Sequence, residues 1–332
     1  MPTVSVIVPN YNHARFLRER LDSILEQTYD DFELILLDDA STDDSPTILR
    51  EYASHPKVVH LHFNEKNSGS TFAQWNKGVR LARGQYVWIA ESDDFSAPQF
   101  LARLVDRLRS DSDLTLVCCR SRYVAEDGSL GRFADTDLSD IDPYQWTSDF
   151  SATGVEMCRK YFHRGNAIAN ASSVLFTSDA FRRVGGADES FRYCGDWALW
   201  AALSLEGRFA YVCEHLNYFR LHEASVGKRL DGTALHAAES LRVTRWVLER
   251  VPCPPDEVER ERERKVHKWV PALLSFRTPF AMKWRIAMDV RAIDPHAFRR
   301  ALRPALAEIR IKLRRHWSGF HSLLRRGKYA SR

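Results

Sequence analysis

Short apolar runs alternate with helix-like segments through the first 120 residues, and this alternation restricts the fold more than any other feature of the chain. Val4–Val8 is rich in β-branched residues and is followed by Pro9, whereas Arg15–Glu26 places its apolar residues at helical spacing. Further strand-like runs are Phe32–Leu37, Val58–Phe63, Gln85–Ala90 and Leu114–Cys119. Strands that alternate with helices predict an α/β fold, in which helices flank a mostly parallel sheet.

Length and composition fit a globular protein with one large domain and an appendage. The chain has 332 residues, of which 44% are hydrophobic and 28% charged. It has no run of roughly 18 consecutive apolar residues, and its apolar N-terminal run lacks the preceding basic residues of a signal peptide. We predict an α/β domain over residues 1–230 and a helical extension over residues 231–332.

Polar clusters follow three of the predicted strands. Asn10-Tyr11-Asn12 follows the first strand, Asp38-Asp39 the second, and Glu91-Ser92-Asp93-Asp94 the fourth. Because ligands of open α/β sheets bind beyond the carboxyl ends of the strands, we expect these clusters to form one site.

Two chemistries are open for the acidic residues in these clusters. Carboxylates after a buried strand are costly without a partner, and Glu91, Asp93 and Asp94 could hold Mg²⁺ or Mn²⁺ against phosphate oxygens. Alternatively, Asp94 caps the following helix. Asp39 could accept hydrogen bonds from a nucleobase or a ribose, or it could form a turn that caps the next helix.

Two nucleotide-binding classes are disfavoured by missing motifs. The first strand is followed by Pro9-Asn10-Tyr11-Asn12 where a dinucleotide-binding dehydrogenase would have GxGxxG, and the chain has no GxxxxGK[ST] motif of a P-loop NTPase.

An ordered series of motifs resembles the family 2 glycosyltransferases, which have the Rossmann-like GT-A fold. The resemblance spans roughly residues 3–228 and does not reach the last hundred residues. The motifs are VSVIVPNYNHARFLRERLDSILEQTYDDFELILLDDASTDDS, Asn67-Ser-Gly69, Gln74–Gly78, Ala82–Tyr86, Trp88–Asp94, Asn170–Phe176, Val184–Phe191, Gly195–Trp200 and Tyr218–His222.

The resemblance implies a role for each matching residue. Asp196 matches the catalytic base, and the metal, Mn²⁺ or Mg²⁺, would lie at Asp93, Asp94 and His222. The donor nucleotide would contact Pro9, Asn10, Tyr11, Asn12, Asp39, Asn67, Asn76, Lys77, Glu91 and Asp93.

The chain departs from the family pattern at two positions. Glu91 stands where the first aspartate of the D-x-D motif is usual, and its longer side chain would then reach sugar or metal-bound water. Gly195 precedes Asp196 where the family often has Glu, which leaves Asp196 as the acid of this motif.

The implied activity is inverting transfer of a sugar from a nucleotide diphosphate donor, a UDP- or dTDP-sugar, to a hydroxyl of a growing glycan or lipid-linked saccharide. Such enzymes serve polysaccharide and cell-envelope synthesis. Two alternatives stay open: a non-catalytic module that binds nucleotide sugars or glycans, and a metal-dependent nucleotidyltransferase. The latter usually has a basic, Gly-rich loop after the first strand, and this chain has none.

The C-terminal segment is strongly basic. Residues 297–332 contain eleven Lys and Arg against one acid, and apolar residues recur at helical spacing from Leu302 to Leu324. This pattern predicts an amphipathic helix on an anionic membrane surface, with the enzyme in the cytoplasm and peripheral to the inner face. The alternative is that the helix packs on the catalytic domain or on a second subunit. We expect no nucleic-acid partner; the oligomeric state stays open.

Overall fold

The computed structural model describes residues 2–134, 142, 144–223, 225, 230, 232–299 and 306, without the side chains of residues 266–268. The chain divides into two compact units, Met1–Arg229 and Leu230–Arg332. The basic amphipathic helix predicted after Leu302 lies outside the described residues.

The first unit contains all ten strands that the structure describes. They are β1 Val4–Asn10, β2 Phe32–Asp38, β3 Val58–Phe63, β4 Tyr86–Ile89, β5 Phe95–Ser96, β6 Leu114–Ala125, β7 Leu130–Phe133, β8 Phe150–Thr153, β9 Val174–Thr177 and β10 Arg208–Leu221. Its α-helices are α1 Ala14–Leu25, α2 Ser45–Tyr52, α3 Thr71–Leu81, α4 Phe100–Arg109, α5 Gly154–Met157, α6 Ser178–Arg183 and α7 Gly195–Leu205.

These strands form one mixed sheet in the order β3-β2-β1-β4-β9-β6-β10-β5, with β7 paired to β6 and β8 to β10. β3, β2, β1 and β4 are parallel, as the alternation predicts. β9 enters between β4 and β6 antiparallel to both. The α/β class is therefore confirmed, and the second half of the sheet is mixed, because β6 pairs in parallel with β10 and antiparallel with β9.

Burial on both faces explains the apolar runs of the central strands. All seven residues of β1 and of β2 are buried, because helices cover both sides of the sheet. Trp88 of β4, for example, packs against Phe100 of α4 with ring centroids 4.3 Å apart. β3 lies at the end of the sheet and is partly exposed.

Two strands are longer than their apolar runs predict. β6 continues beyond Cys119 to Ala125, and β10 continues from its apolar run Phe209–Cys213 into the motif Tyr218–His222. The extra residues pair with each other in parallel, with register shifts between Val212 and Asn217. Because these residues mix polar and apolar side chains, apolar runs alone do not predict this part of the two strands. The pairing brings His222 to the ends of the other strands.

The second unit is helical where it is described. It contains α8 Ala234–Arg250, α9 Pro255–Leu274 and α10 Phe280–Ile293. Trp269, Ile286 and Val290 belong to its own apolar core. Arg245 of α8 pairs with the buried Asp289 of α10 at 2.6 Å. In the described part of the chain, no helix combines the length and apolarity needed to cross a membrane.

Candidate active site

Pairing of the parallel strands brings the polar clusters after β1, β2 and β4 to one edge of the sheet. Asn10 and Asp38 are register partners at the ends of β1 and β2. The backbone N–H of Asp39 donates to the carbonyl of Asn10 at 2.9 Å, and that of Ala90 donates to the carbonyl of Ile7 at 2.8 Å. The convergence predicted from the strand order is present.

The loop after β1 is held to the loop after β2 by side-chain hydrogen bonds. The Asn10 amide donates to Asp38 at 2.8 Å, and Asp38 also accepts from the backbone of Ser41 at 2.9 Å. Asn12 has a φ of 57° and accepts from the backbone of Thr42 at 2.7 Å. Asn10 and Asn12 thus fix the two loops to each other.

The end of β1 also presents a buried proline and an exposed tyrosine. Pro9 is buried at the end of β1, whereas the Tyr11 side chain is 45% exposed. Of the predicted nucleotide contacts in this loop, Tyr11 and Asn12 are therefore the exposed residues, and Tyr11 offers an aromatic ring to a ligand.

Asp39 organises the loop that precedes α3. Its carboxylate accepts from the Asn64 amide at 2.5 Å, from Ser68 Oγ at 2.7 Å and from the Gln74 amide at 2.9 Å. The Asn67 amide donates to the Asp39 carbonyl at 3.1 Å. Asp39 and Asn67 are thus brought together, and the two carboxylate oxygens of Asp39 already accept several donors.

Two further predicted residues project from α3 in different directions. Lys77 Nζ donates to the Asn64 side chain at 2.6 Å, which places this lysine beside the Asp39 loop. Burial lowers the pKa of Lys77, and the Asp39 charge opposes that shift. The Asn76 amide instead bonds to both backbone groups of Ala187, at 2.8 and 2.9 Å. Asn76 therefore anchors the loop after α6.

The acids after β4 lie in three different environments. Glu91 accepts from the Trp75 indole N–H at 2.7 Å. Burial, reinforced by the charge of Asp93, raises the pKa of Glu91 to about 8. Glu91 is thus bound to an aromatic side chain and has a strongly reduced tendency to ionise.

Asp94 is turned into the protein. Its carboxylate accepts from the Asn170 amide at 2.6 Å and from the backbone N–H of Arg220 at 2.9 Å. Burial, together with the neighbouring charge of Asp93, raises its pKa to about 7. These bonds tie β4 to β10 and to the turn before β9.

Asp93 lies next to two histidines. Asp93 Oδ2 and His222 Nε2 are 2.9 Å apart, and the rings of His222 and His13 meet edge to face with centroids 5.5 Å apart. One ligand atom from each of these three residues lies within 4.8 Å of the others. Although burial acts to raise it, the pKa of Asp93 is lowered by the hydrogen bond with His222 and by the charge of His13.

This cluster fits a divalent cation of the transition series. Two imidazoles beside a carboxylate favour a transition-series ion such as Mn²⁺ over Mg²⁺, which takes oxygen ligands. A cation between Asp93 and His222 would replace the proton that they share. The predicted metal ligands Asp93 and His222 are therefore brought together with His13, while Asp94 points elsewhere.

A buried arginine lies behind the acids. Arg20 of α1 is fully buried, and its guanidinium stacks over the Trp88 ring at 4.8 Å. None of its nitrogens has a hydrogen-bond partner among the described residues. Burial lowers its pKa to about 10, although Asp94, Asp93 and Glu91 favour its charged form. Arg20 thus offsets part of the negative charge of the three acids.

Asp196 lies in the first turn of α7, where the partial positive charge of the helix N-terminus favours a carboxylate. Asn166 donates to its Oδ2 at 2.8 Å. The preceding Gly195 packs on Phe72, whose ring lies 5.1 Å from that of Trp75, the partner of Glu91. Asp196 is therefore connected to the acid cluster through two packed aromatic rings.

Close packing against Phe72 explains why a glycine precedes Asp196. A Cβ at Gly195 would lie 2.5 Å from carbons of the Phe72 ring. No side chain fits there unless Phe72 moves, so the family's frequent Glu could not occupy this position in the present packing.

Several residues of this site were missed in the sequence. Burial of Arg20 could have been predicted, because this arginine stands on the apolar face of α1 between Leu17 and Ile24. His13 follows the Asn-Tyr-Asn cluster directly, although a single histidine has little predictive value. Asn166 and Asn170 lie in an irregular segment, and only the fold brings them to Asp196 and Asp94.

Known proteins resemble this chain in sequence and in fold. Residues 5–162 match the family model described as glycosyl transferase family 2. The chondroitin synthase of Escherichia coli is 31% identical over 215 residues, which are 64% of this chain and 28% of that protein. The match thus spans little more than a quarter of that relative.

Two solved structures share the fold at low sequence identity. S. aureus TarS 1–349 in complex with UDP-GlcNAc has a TM-score of 0.67 at 14% identity, covering 91% of this chain and 89% of that one. The mannosyltransferase PcManGT from Pyrobaculum calidifontis, in complex with GDP-Man and Mn²⁺, has a TM-score of 0.55 at 20% identity, covering 97% and 84%. The motif series and the shared GT-A fold agree with the match of residues 5–162 to glycosyl transferase family 2.

Proposed function

We propose that the chain transfers a sugar from a nucleotide diphosphate donor to a hydroxyl group of a glycan or lipid-linked saccharide. The observation that carries this proposal is the cluster of His13, Asp93 and His222 at the strand ends. Asp196 is linked through Phe72 and Trp75 to Glu91, which belongs to the same group of strand-end acids. A family 2 domain supplies the reaction class.

On the donor side, the nucleoside is proposed to lie against the loops after β1 and β2. Tyr11 offers an exposed ring to a base, and Lys77 offers a positive charge beside the Asp39 loop. Asp39 would have to exchange one of its present donors for a base or ribose group. Asn76 serves the pocket indirectly, because it holds the loop around Ala187.

At the diphosphate, Asp93, His222 and His13 are proposed to hold a divalent cation. When bound, the cation neutralises the charge that develops on the leaving diphosphate. Asp94 is proposed to position Asp93 by fixing the segment after β4 to Asn170 and Arg220. Glu91, bound to Trp75, is proposed to face the sugar.

Asp196 is proposed to act as the general base. Its Oδ2 is oriented by the Asn166 amide, and the carboxylate would accept the proton of the attacking hydroxyl. A base on the side opposite the leaving diphosphate predicts inversion at the anomeric carbon. The acceptor oxygen forms the new bond to the anomeric carbon as its proton passes to Asp196, and the bond from that carbon to the diphosphate breaks with its electron pair going to the leaving group.

The donors bound by the similar structures, and the name of one sequence relative, suggest the donor class. One neighbour binds UDP-GlcNAc and another binds GDP-Man with Mn²⁺, and a sequence relative is a chondroitin synthase. We propose a UDP-sugar, or the chemically close dTDP-sugar, as donor, Mn²⁺ as the preferred metal, and polysaccharide synthesis as the role. The test is a panel of UDP-, dTDP- and GDP-sugars with Mn²⁺, with Mg²⁺ and with chelator, scored for binding and for release of the nucleoside diphosphate. Binding of no donor under any condition would contradict the proposal.

A further inference from the structure

Helix α10 of the second unit carries an exposed apolar stripe. Phe280, Trp284 and Met288 stand at positions i, i+4 and i+8, so they share one face of the helix. Their side chains are 81%, 63% and 49% exposed, and Phe276, just before the helix, is fully exposed. The opposite face is the one that packs, because Ile286, Asp289, Val290 and Ile293 are buried.

The charges around the stripe have one sign. Lys283 and Arg285 flank it on the two sides of the helix, and Arg291 lies one turn beyond Met288. Arg277 stands beside Phe276. Between residues 276 and 299 the two acids, Asp289 and Asp294, are both buried. The exposed surface of this segment is therefore apolar at its centre and basic at its rim.

We propose that this face of α10 binds an anionic lipid bilayer, lying in its interface with the stripe inserted among the headgroups. Aromatic residues and methionine on one face with Lys and Arg beside them are the features of interfacial helices, whose basic side chains reach the lipid phosphates. The bilayer supplies both an apolar layer and negative charge, so it complements the whole face. The proposal stands independently of the sugar-transfer chemistry.

Charge favours a bilayer over two other possible occupants of this face, the basic tail of the chain and a second copy of the same face. The basic tail after residue 299 has its own apolar stripe, but its Arg303, Arg310 and Arg314 would meet the basic rim of α10. A second copy of the same face would repeat that repulsion. An anionic surface attracts both segments, so α10 and the tail would act on the same bilayer.

The test measures binding of the full chain to vesicles of phosphatidylcholine, with and without phosphatidylglycerol. We expect binding only with phosphatidylglycerol, and weaker binding at high salt. Phe280→Ser with Trp284→Ser should reduce the partition coefficient by about tenfold or more, because two aromatic side chains no longer leave water. Arg277→Glu with Arg285→Glu should weaken binding in the same direction.

A matched control is Leu130→Ser, which removes an exposed apolar side chain (53% exposed) from the first unit. It should leave vesicle binding unchanged. The double serine variant and the Leu130→Ser control should keep the thermal unfolding of the native chain, since their altered side chains are exposed.

Three outcomes would overturn the proposal. The native chain could fail to bind phosphatidylglycerol vesicles, or the double serine variant could bind them as well as the native chain does. In the latter case Trp317→Ser, in the tail, would show whether the tail alone is responsible. Finally, the double serine variant could convert an oligomer to a monomer in light scattering, which would identify a second copy as the occupant.

Discussion

At the scale of single residues, the two neighbouring acids after β4 have separate tasks. Asp93 faces His13 and His222, whereas Asp94 accepts hydrogen bonds from Asn170 and from the backbone of Arg220. The sequence assigns both to the metal, because adjacent carboxylates cannot be told apart without the fold. Because their surroundings differ, we expect substitution of Asp93 to affect mainly metal affinity and substitution of Asp94 to affect mainly stability.

Asp93→Ala should above all reduce Mn²⁺ affinity, at least tenfold, because it removes the carboxylate of the candidate site. Asp94→Ala should instead lower the free energy of unfolding by about 1–3 kcal/mol, because buried donors lose their acceptor. Calorimetric Mn²⁺ titration and urea unfolding separate the two effects. If Asp94→Ala folds stably but loses more Mn²⁺ affinity than Asp93→Ala does, Asp94 is a metal ligand and this assignment is wrong.

The histidine at the start of α1 makes stability depend on pH. Burial lowers the pKa of His13 below 6.5, with Asp93 and Asp43 opposing the shift and His222 and Arg15 adding to it. The unfolded chain therefore binds this proton more readily than the folded chain does. It follows that metal-free protein should lose stability as the pH falls below about 6.5.

His13→Asn should make this loss of stability shallower between pH 7 and pH 5. Urea unfolding at several pH values, in the presence of chelator, measures the slope for both proteins. Equal slopes in the native chain and the variant would show that His13 does not gain its proton in this range.

At the scale of elements, the N-terminus of α7 is positioned by the close approach of Gly195 to Phe72. A Cβ at position 195 would lie 2.5 Å from the ring, and Phe72 in turn contacts Trp75, the partner of Glu91. A change at this contact should therefore disturb both Asp196 and the acid cluster.

Gly195→Ala should destabilise the protein by about 1–3 kcal/mol through overpacking and should reduce turnover. Phe72→Leu makes room for the added methyl group, so the double variant should be more stable than the sum of the two single effects predicts. A double-mutant cycle by urea unfolding gives the coupling. Strict additivity would mean that the two positions do not constrain each other.

The elements that the sequence predicts best are those with a continuous apolar run or a clear helical spacing of apolar residues. β1, β2 and α1 are buried or amphipathic throughout, and their boundaries agree with the pattern to within a few residues. The outer half of β6 and of β10 could not be predicted in this way, because Arg120–Tyr123 and Glu214–Asn217 mix polar and apolar residues and are stabilised by pairing with each other. The candidate site follows the same rule: strand ends were predictable, whereas Arg20, Asn166 and Asn170 needed the three-dimensional contacts.

At the scale of the whole molecule, the family resemblance and the candidate site both belong to the first unit. The motifs end near residue 228, and the compact first unit ends at Arg229. We propose that the second unit, with α10 and the basic tail, serves as a membrane-binding extension. Donor binding should then be retained when the exposed face of α10 is altered, which vesicle-free titration of Phe280→Ser with Trp284→Ser can check.

The central claim is sugar transfer with Asp196 as base, and the most direct measurement compares turnover and donor affinity in the native chain and Asp196→Asn. With the donor identified by the panel and with Mn²⁺ present, the native chain should release nucleoside diphosphate. The variant should bind the donor with an affinity within about threefold of the native value. Its release of nucleoside diphosphate should be about 10²–10⁴-fold slower, as loss of a general base predicts. Turnover by Asp196→Asn at the native rate, or no turnover by the native chain with any donor and acceptor, would contradict the account.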